Sequence, residues 1–197
     1  VLTDFIREGV YDRNRQFYNT MSPSMDILIS SNLERLLYSI TQDPEEVRRY
    51  MARLNEVGRY QVGGKVKEKL QKRFKGYFCD DKETQRVIRS MYDRHGYLID
   101  THTAVAFSAL EKYRAETGDG APAIVASTAS PFKFCSSVLE ALGEADIAQG
   151  LDALDQLTAK TGQPAPAPLA GLRNKRVRFT QVVEKERMAD AVMSLLE

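Results

Sequence analysis

Cysteine, tryptophan and net charge are what this sequence has least of. Its 197 residues include two cysteines, Cys79 and Cys135, and no tryptophan. Two cysteines are too few for a disulfide-stabilised scaffold and suit a reducing compartment, so we expect a cytoplasmic protein. The 28 lysines and arginines almost balance the 27 aspartates and glutamates. The net charge of +1 gives no electrostatic reason to expect a nucleic-acid or membrane partner.

Long apolar runs and metal-ligand spacings are also missing from the sequence. No run approaches the roughly 18 apolar residues of a membrane span. Around His95 and His102 no cysteine or carboxylate recurs at ligand spacing, so we expect no metal site. The length allows a sizeable core, organised as one domain or two small ones.

Two short apolar runs predict buried strands of a parallel sheet. Residues 25–30 are Met-Asp-Ile-Leu-Ile-Ser, and residues 123–126 are Ala-Ile-Val-Ala. Continuous apolar runs of this length fit strands that are covered on both faces. The second run lies between helical patterns at residues 103–117 and 131–142. A succession of helix, strand and helix is one turn of a βαβ winding.

The segment between residues 43 and 96 is dominated by charge and helical periodicity. Its first helix is predicted to begin at Asp43 and to end at Gly58, and two further apolar stripes predict two more helices. Ahead of this segment, Ser31 and Glu34 have the spacing of a capping box, which predicts a helix. After residue 146 we expect another helix, a proline-rich connector, a short strand at residues 177–183 and a closing helix at 184–196.

Two hydroxyl-rich loops are candidate ligand sites. Residues 127–131, Ser-Thr-Ala-Ser-Pro, stand between a predicted strand and a predicted helix. Ligands of open α/β sheets bind beyond the carboxyl ends of strands, where a helix N-terminus adds free N–H groups. The alternative is that Ser130 only caps the helix and Thr128 is a turn residue. Residues 20–26 allow the same two interpretations.

Three further features have structural interpretations beside functional ones. His102 could cap a helix, pack with a satisfied ring or act as a base. We interpret Cys135, near a helix start, as inert packing. Residues 65–75 form the one basic cluster, and their apolar residues at helical spacing favour the solvated face of a packed helix over a phosphate or nucleic-acid contact.

Six segments resemble, in their order and spacing, the threonine synthases of the bacterial and fungal type. Each segment is modestly specific by itself, whereas their joint order is strongly specific and spans nearly the whole chain. The segments are Asp4-Phe5 with Gly9-Val10-Tyr11, Ser22-Pro23-Ser24-Met25-Asp26-Ile27, Ser31-Asn32-Leu33-Glu34-Arg35-Leu36, Tyr97-Leu98-Ile99-Asp100-Thr101-His102-Thr103-Ala104-Val105-Ala106, Ser127-Thr128-Ala129-Ser130-Pro131-Phe132-Lys133-Phe134, and Leu172-Arg173-Asn174-Lys175 to Phe179.

The resemblance implies an enzyme that uses pyridoxal phosphate to convert O-phospho-L-homoserine and water into L-threonine and phosphate. It implies an α/β fold of the tryptophan-synthase-β-like type (fold type II), present here in part and with a largely helical insertion. In the family, the Schiff-base lysine and the glycine-rich phosphate cradle lie upstream of the position that corresponds to Val1. We therefore expect a fragment without a catalytic residue, inactive alone, whose partner is the missing N-terminal part of the same enzyme.

The same resemblance implies four regions. Residues 1–40 would end the smaller domain, and residues 41–96 would be the helical insertion. Residues 97–145 would end the large domain, and residues 146–197 would form a C-terminal extension. Leu2, Phe5 and Ile6, at helical spacing directly after Val1, also favour a truncated chain.

Five positions match functional motif positions of the family. Thr128 matches the threonine whose hydroxyl faces the pyridine nitrogen of the cofactor. Ser22, Ser24, Asn32 and Arg35 match positions near the active-site cleft and are candidate substrate-binding residues.

The chain departs from the family pattern at two positions. Asp-Pro-His is more usual where this chain has Asp100-Thr101-His102. Thr101 thus replaces a proline that would fix the turn before the helix. Ser130 stands where many members have histidine, which removes an imidazole beside the cofactor ring.

Two alternatives stay open. The chain could belong to another fold type II enzyme, such as a threonine dehydratase-like enzyme or a β-replacing synthase, although the helical insertion and the Ser-Pro-Ser-Met-Asp-Ile segment argue against this. It could also be a non-enzymatic module that reuses the fold.

Overall fold

The computed structural model describes residues 1–195, which form short and medium helices and one small sheet. The helices are α1 (Leu2–Glu8), α2 (Leu33–Thr41), α3 (Pro44–Val57), α4 (Gly64–Arg73), α5 (Asp81–His95), α6 (Thr101–Thr117), α7 (Cys135–Ala141), α8 (Asp152–Thr161), α9 (Ala167–Ala170) and α10 (Met188–Met193). The strands are β1 (Val10–Asp12) and β2 (Arg59–Gln61), which pair antiparallel. Short 3₁₀ turns occupy Pro23–Met25, Pro131–Phe134, Gly171–Asn174 and Lys185–Arg187.

The helices predicted between residues 43 and 96 are confirmed as α3, α4 and α5. Asp43 begins α3 because its carboxylate accepts hydrogen bonds from the backbone N–H groups of Glu45 and Glu46. Gly58 ends the same helix at φ 74°, a left-handed conformation that glycine adopts without a steric penalty. Asp80 and Glu83 form a reciprocal capping box at the start of α5.

The first hydrophobic core lies between α1, α2, α3, α4 and the two-stranded sheet. Tyr11 of β1 and Tyr60 of β2 are register partners whose rings stack with centroids 5.3 Å apart. Phe5 meets both rings edge-on, at 5.8 Å from each. Aromatic pairs in these geometries stabilise a core beyond the area they bury, so this cluster fixes the sheet against the helices.

The second hydrophobic core lies between α5, α6, α7 and α8, and it includes Ile88, Ile99, Leu139 and Leu157. The two cores divide the segment predicted as an insertion, because α3 and α4 contribute to the first core and α5 to the second. Polar contacts also join α1 to the segment before α5, such as the hydrogen bond that the Thr3 hydroxyl donates to the Tyr77 carbonyl oxygen at 2.8 Å. The four regions at residues 1–40, 41–96, 97–145 and 146–197 remain predictions.

The strands predicted at residues 25–30 and 123–126 are wrong for this structure. The first begins with the end of a 3₁₀ turn and continues as an irregular segment, with Ile29 51% exposed. In the second, Ile124 is 100% exposed. A strand forms only where a neighbour pairs with its backbone, and within residues 1–195 the only sheet is β1 with β2. The apolar pattern predicts burial, but Ile29 and Ile124 are exposed in this chain.

Two smaller predictions are also wrong. No capping box joins Ser31 and Glu34, because α2 begins at Leu33 and its N-cap residue, Asn32, makes no capping bond. Residues 177–183 form no strand, and Val177, Phe179 and Val182 are exposed. The closing helix is confirmed over Met188–Met193, and residues 196–197 lie outside the described part.

Candidate functional site

Thr128 lies in an irregular segment, just before the 3₁₀ turn that leads into α7. Its side chain is exposed and makes no hydrogen bond to any residue between 1 and 195. Ser130 accepts a hydrogen bond from the Phe132 backbone N–H at 3.3 Å, so it caps the turn. The structural interpretation therefore holds for Ser130, whereas the Thr128 hydroxyl is free to meet a group from outside the described residues.

A buried polar network holds the loop that carries Thr128. Asp100 is fully buried and its carboxylate accepts hydrogen bonds from the backbone N–H groups of His102, at 2.8 Å, and Thr103, at 3.2 Å. The Thr103 hydroxyl also donates to this carboxylate and lies 3.1 Å from the Ser127 hydroxyl oxygen. The start of α6 thus contacts the residue directly before Thr128.

The departure at Thr101 does not prevent the turn before α6. Helix α6 begins at Thr101 with Asp100 as its N-cap residue, and the carboxylate supplies the acceptor that the first N–H groups need. The Asp100 cap therefore stabilises the turn before α6 without a proline.

His102 connects this network to the first hydroxyl-rich loop. Its Nδ1 atom forms a hydrogen bond with the Ser22 hydroxyl, and both residues are buried. The imidazole meets the Phe134 ring edge-on at 4.7 Å. Its Nε2 atom is buried and has no hydrogen-bond partner among the described residues. Since Asp100 caps the helix, His102 is not the cap, and it packs between the two loops with one of its two ring nitrogens bonded.

The loop at residues 20–26 is internally braced. The Asp26 carboxylate accepts hydrogen bonds from the Thr20 backbone N–H at 2.7 Å and from the Thr20 hydroxyl at 2.8 Å. The Ser22 backbone N–H donates to the Thr20 hydroxyl oxygen at 3.1 Å. Ser24 is exposed, and its side chain makes no hydrogen bond within the described residues. Of the two candidate serines, Ser22 is therefore structural in part, whereas Ser24 is free.

Asn32 and Arg35 lie together at the start of α2. The Arg35 guanidinium donates a hydrogen bond to the Asn32 side-chain oxygen, and both residues are exposed. Leu33, between them, is buried in the first core and anchors the helix. Within residues 1–195 no hydrogen bond joins this pair to Thr128. The structure thus links Ser22 to the Thr128 loop and leaves Asn32 and Arg35 as a separate cluster.

Sequence reasoning did not single out Asp100, Thr103 or Tyr11 as site residues. Asp100 and Thr103 have the spacing of an N-cap and its third helical residue, a signal that was present in the sequence. Tyr11 carries no such local signal, because its partners lie 17 and 19 positions away.

Other chemistries find little support in the described part of the chain. No three potential metal ligands come together within residues 1–195. The Cys135 thiol donates to the Phe132 carbonyl oxygen at 3.0 Å, and burial raises its pKa above the ordinary value, as fits a packed cysteine. Over the same residues, no helix combines the length and apolar composition that crossing a membrane requires.

Comparison with known proteins identifies the family. A family model described as "Threonine synthase, C-terminal" matches residues 103–193. Human threonine synthase-like 1 is 40% identical over 144 residues, which are 72% of this chain and 19% of that protein. Threonine synthase of Saccharomyces cerevisiae is 34% identical over 158 residues, covering 72% of this chain and 30% of that protein. The chain thus spans about a fifth to a third of the length of these relatives.

Two solved structures share the fold. The crystal structure of threonine synthase from yeast matches 99% of this chain with a TM-score of 0.80 and 29% identity, over 40% of its own length. The structure of pyridoxal-phosphate-bound threonine synthase from Brucella melitensis matches 91% of this chain with a TM-score of 0.71 and 31% identity, over 34% of its length. Residues 103–193 thus belong to the C-terminal family of threonine synthases, and the chain corresponds to the C-terminal part of these enzymes, with a partial α/β fold of pyridoxal-phosphate fold type II.

Proposed function

We propose that this chain completes an enzyme that converts O-phospho-L-homoserine and water into L-threonine and phosphate with pyridoxal phosphate as cofactor. The observation that carries the proposal is the match of 99% of the chain to yeast threonine synthase. Within that fold, the chain would supply the residue facing the ring nitrogen of the cofactor and part of the substrate site.

Thr128 fits the position opposite the ring nitrogen. Its hydroxyl is exposed and uncommitted, and a neutral hydroxyl can donate a hydrogen bond to an aromatic nitrogen. The neighbouring Ser127 is tied to Thr103 and the buried Asp100, so the loop is held in place before any ligand binds. When bound, pyridoxal phosphate supplies an electron-withdrawing ring that stabilises negative charge on the substrate carbon.

The substrate residues would be Ser22, Ser24, Asn32 and Arg35. O-phospho-L-homoserine carries a phosphate ester and a carboxylate, and a guanidinium is suited to either group because it offers several N–H donors in one plane. Arg35 already has one donor oriented by Asn32. The free hydroxyl of Ser24 adds a donor for a phosphate oxygen, whereas Ser22 would act mainly through its bond with His102.

The remaining parts of the site would come from the N-terminal part of the same enzyme. We expect the glycine-rich cradle for the cofactor phosphate and the Schiff-base lysine to lie in that part, and this chain to be inactive alone. Exposed apolar segments support the need for a partner. Ile124 is fully exposed, and residues 122–129 make no backbone-to-backbone hydrogen bond within the described part of the chain.

The test compares the complete enzyme with this chain alone, after circular dichroism has shown that both are folded. With pyridoxal phosphate and O-phospho-L-homoserine, the complete enzyme is expected to release equal amounts of phosphate and L-threonine. The chain alone is expected to release neither.

Three other results would contradict parts of the proposal. Release of 2-oxobutyrate and ammonia when L-threonine is supplied, with no threonine formed from O-phospho-L-homoserine, would indicate a threonine dehydratase-like enzyme. No turnover by the folded complete protein would favour a non-enzymatic module. A stoichiometric adduct of the cofactor at one lysine of the isolated chain, trapped by borohydride, would show that the chain does hold the cofactor-binding lysine.

A further inference from the structure

The hydroxyl of Tyr11 forms hydrogen bonds with the backbone of residues 28–30. It donates a hydrogen bond to the Leu28 carbonyl oxygen at 3.0 Å and accepts one from the Ser30 backbone N–H at 2.8 Å. Across residues 1–195, neither Leu28 nor Ser30 makes a hydrogen bond to another backbone group. A single side-chain hydroxyl therefore provides the backbone anchor for residues 28–30.

The Tyr11 ring is fixed before it makes these bonds. It is 1% exposed, lies on β1, stacks on Tyr60 with the ring planes 2° apart, and meets Phe5 edge-on. A packed aromatic ring loses little further freedom when its hydroxyl bonds, so the anchor is rigid. Burial also raises the pKa of Tyr11 above its ordinary value, which keeps the hydroxyl proton available for Leu28.

The anchored segment leads directly into α2. Ser30 is followed after one residue by Asn32, and the buried Leu33 then ties the helix to the first core. The start of α2 is thus held at two points, the Tyr11 hydroxyl before it and the apolar face of the helix within it. Asn32 and Arg35 project from this start.

We propose that Tyr11 is a positioning residue for substrate binding, which sets where Asn32 and Arg35 meet the substrate without contacting it. This inference rests on the proposed function, because it assigns these two residues to the substrate. Loss of the hydroxyl releases residues 28–30 and the N-cap residue Asn32 that follows them, while Leu33 keeps the helix in place. The Arg35 side chain is affected through its hydrogen bond to Asn32. The effect therefore falls on substrate affinity more than on the chemical step.

The chain offers a matched control. Tyr60 is the stacking partner of Tyr11 and is equally buried, but its hydroxyl has no hydrogen-bond partner among the described residues. In the complete enzyme, Tyr11→Phe is expected to raise the KM for O-phospho-L-homoserine about threefold to tenfold with kcat within about twofold of wild type. Tyr60→Phe is expected to leave both constants within about 1.5-fold, because it removes an unused hydroxyl. An equal KM in the two variants would overturn the inference.

Amide hydrogen exchange tests the anchor without turnover. In the wild-type enzyme the Ser30 amide should exchange at least about tenfold more slowly than the Ser31 amide, which has no backbone partner in the described residues. Tyr11→Phe should abolish this difference and Tyr60→Phe should keep it. If Tyr11→Phe does not fold, the wild-type comparison decides, since equal rates for Ser30 and Ser31 would overturn the anchor.

Failure of the proposed function would look different. A complete wild-type enzyme that makes no threonine, while its Ser30 amide stays protected, would overturn the proposed reaction and the substrate role of Tyr11 but leave the Tyr11 anchor standing.

Discussion

The Ser22 hydroxyl and His102 Nδ1 form a buried hydrogen bond between residues 80 positions apart in the chain. Ser22 is 2% exposed and His102 is 5% exposed. The bond joins the loop at residues 20–26 to the first turn of α6, and Asp100 and Thr103 continue the contact to Ser127. The two hydroxyl-rich loops that the sequence indicates are therefore parts of one polar arrangement.

Ser22→Ala is expected to destabilise the protein by about 1–3 kcal/mol, because it leaves both ring nitrogens of the buried His102 without a partner. Urea unfolding followed by circular dichroism measures this change. Ser24→Ala is the matched control, since Ser24 is exposed and unbonded within the described residues, and it should change the free energy of unfolding by less than about 0.5 kcal/mol. Equal effects at the two positions would show that the buried bond does not stabilise the fold.

Asp100→Ala is expected to cost more than removal of an ordinary helix cap. Asp100 is fully buried and serves two backbone N–H groups and the Thr103 hydroxyl, so its loss should lower the free energy of unfolding by about 3 kcal/mol or more. Asp80→Ala removes the exposed cap of α5 and should cost about 1 kcal/mol. Chemical denaturation of both variants gives the comparison, and a smaller loss for Asp100→Ala than for Asp80→Ala would contradict the importance of the network.

Alkaline pH is expected to destabilise the first core through its tyrosines. Burial raises the pKa of Tyr50 from 10.0 to about 12, with a contribution from its bond to Glu46, and burial also raises the pKa of Tyr60. These side chains favour the protonated form in the folded state, so their contribution is complete below pH 10 and is lost as pH rises towards 12.

The free energy of unfolding, measured by urea titration at a series of pH values, should therefore fall above pH 10. Tyr60→Phe should make the fall less steep, because one tyrosine no longer titrates. A wild-type protein whose stability is constant over this range would contradict the account.

The sequence predicts the helices better than the sheet, for a physical reason. The apolar stripe and caps that define α3 lie within one segment, from Asp43 to Gly58, so local pattern is sufficient. Residues 25–30 and 123–126 have strand-like patterns, but a strand needs a backbone partner that the pattern does not contain. Because no strand pairs with them in the described residues, Ile29 and Ile124 are exposed.

The site residues themselves remain predictions. Resemblance to a family brought out Thr128 and Arg35, and the structure adds why Thr128 is free and what orients Arg35. The cap formed by Asp100 has a local signal in its spacing to Thr103. The bond from Ser30 to Tyr11 and the contact between Thr103 and Ser127 join residues 19 and 24 positions apart, which local spacing cannot reveal.

The assignment of Thr128 opposite the cofactor is the central claim about this chain, and two variants of the complete enzyme test it. Thr128→Val keeps the shape and removes the donor, whereas Thr128→Ser keeps the donor. Both should fold with wild-type stability, because the Thr128 side chain is exposed and makes no hydrogen bond within residues 1–195.

The most direct measurement is kcat for L-threonine formation at saturating O-phospho-L-homoserine and pyridoxal phosphate. We expect Thr128→Val to lower kcat roughly tenfold to a hundredfold and Thr128→Ser to stay within about threefold of wild type. A folded Thr128→Val enzyme with wild-type kcat and wild-type cofactor affinity would contradict the assignment.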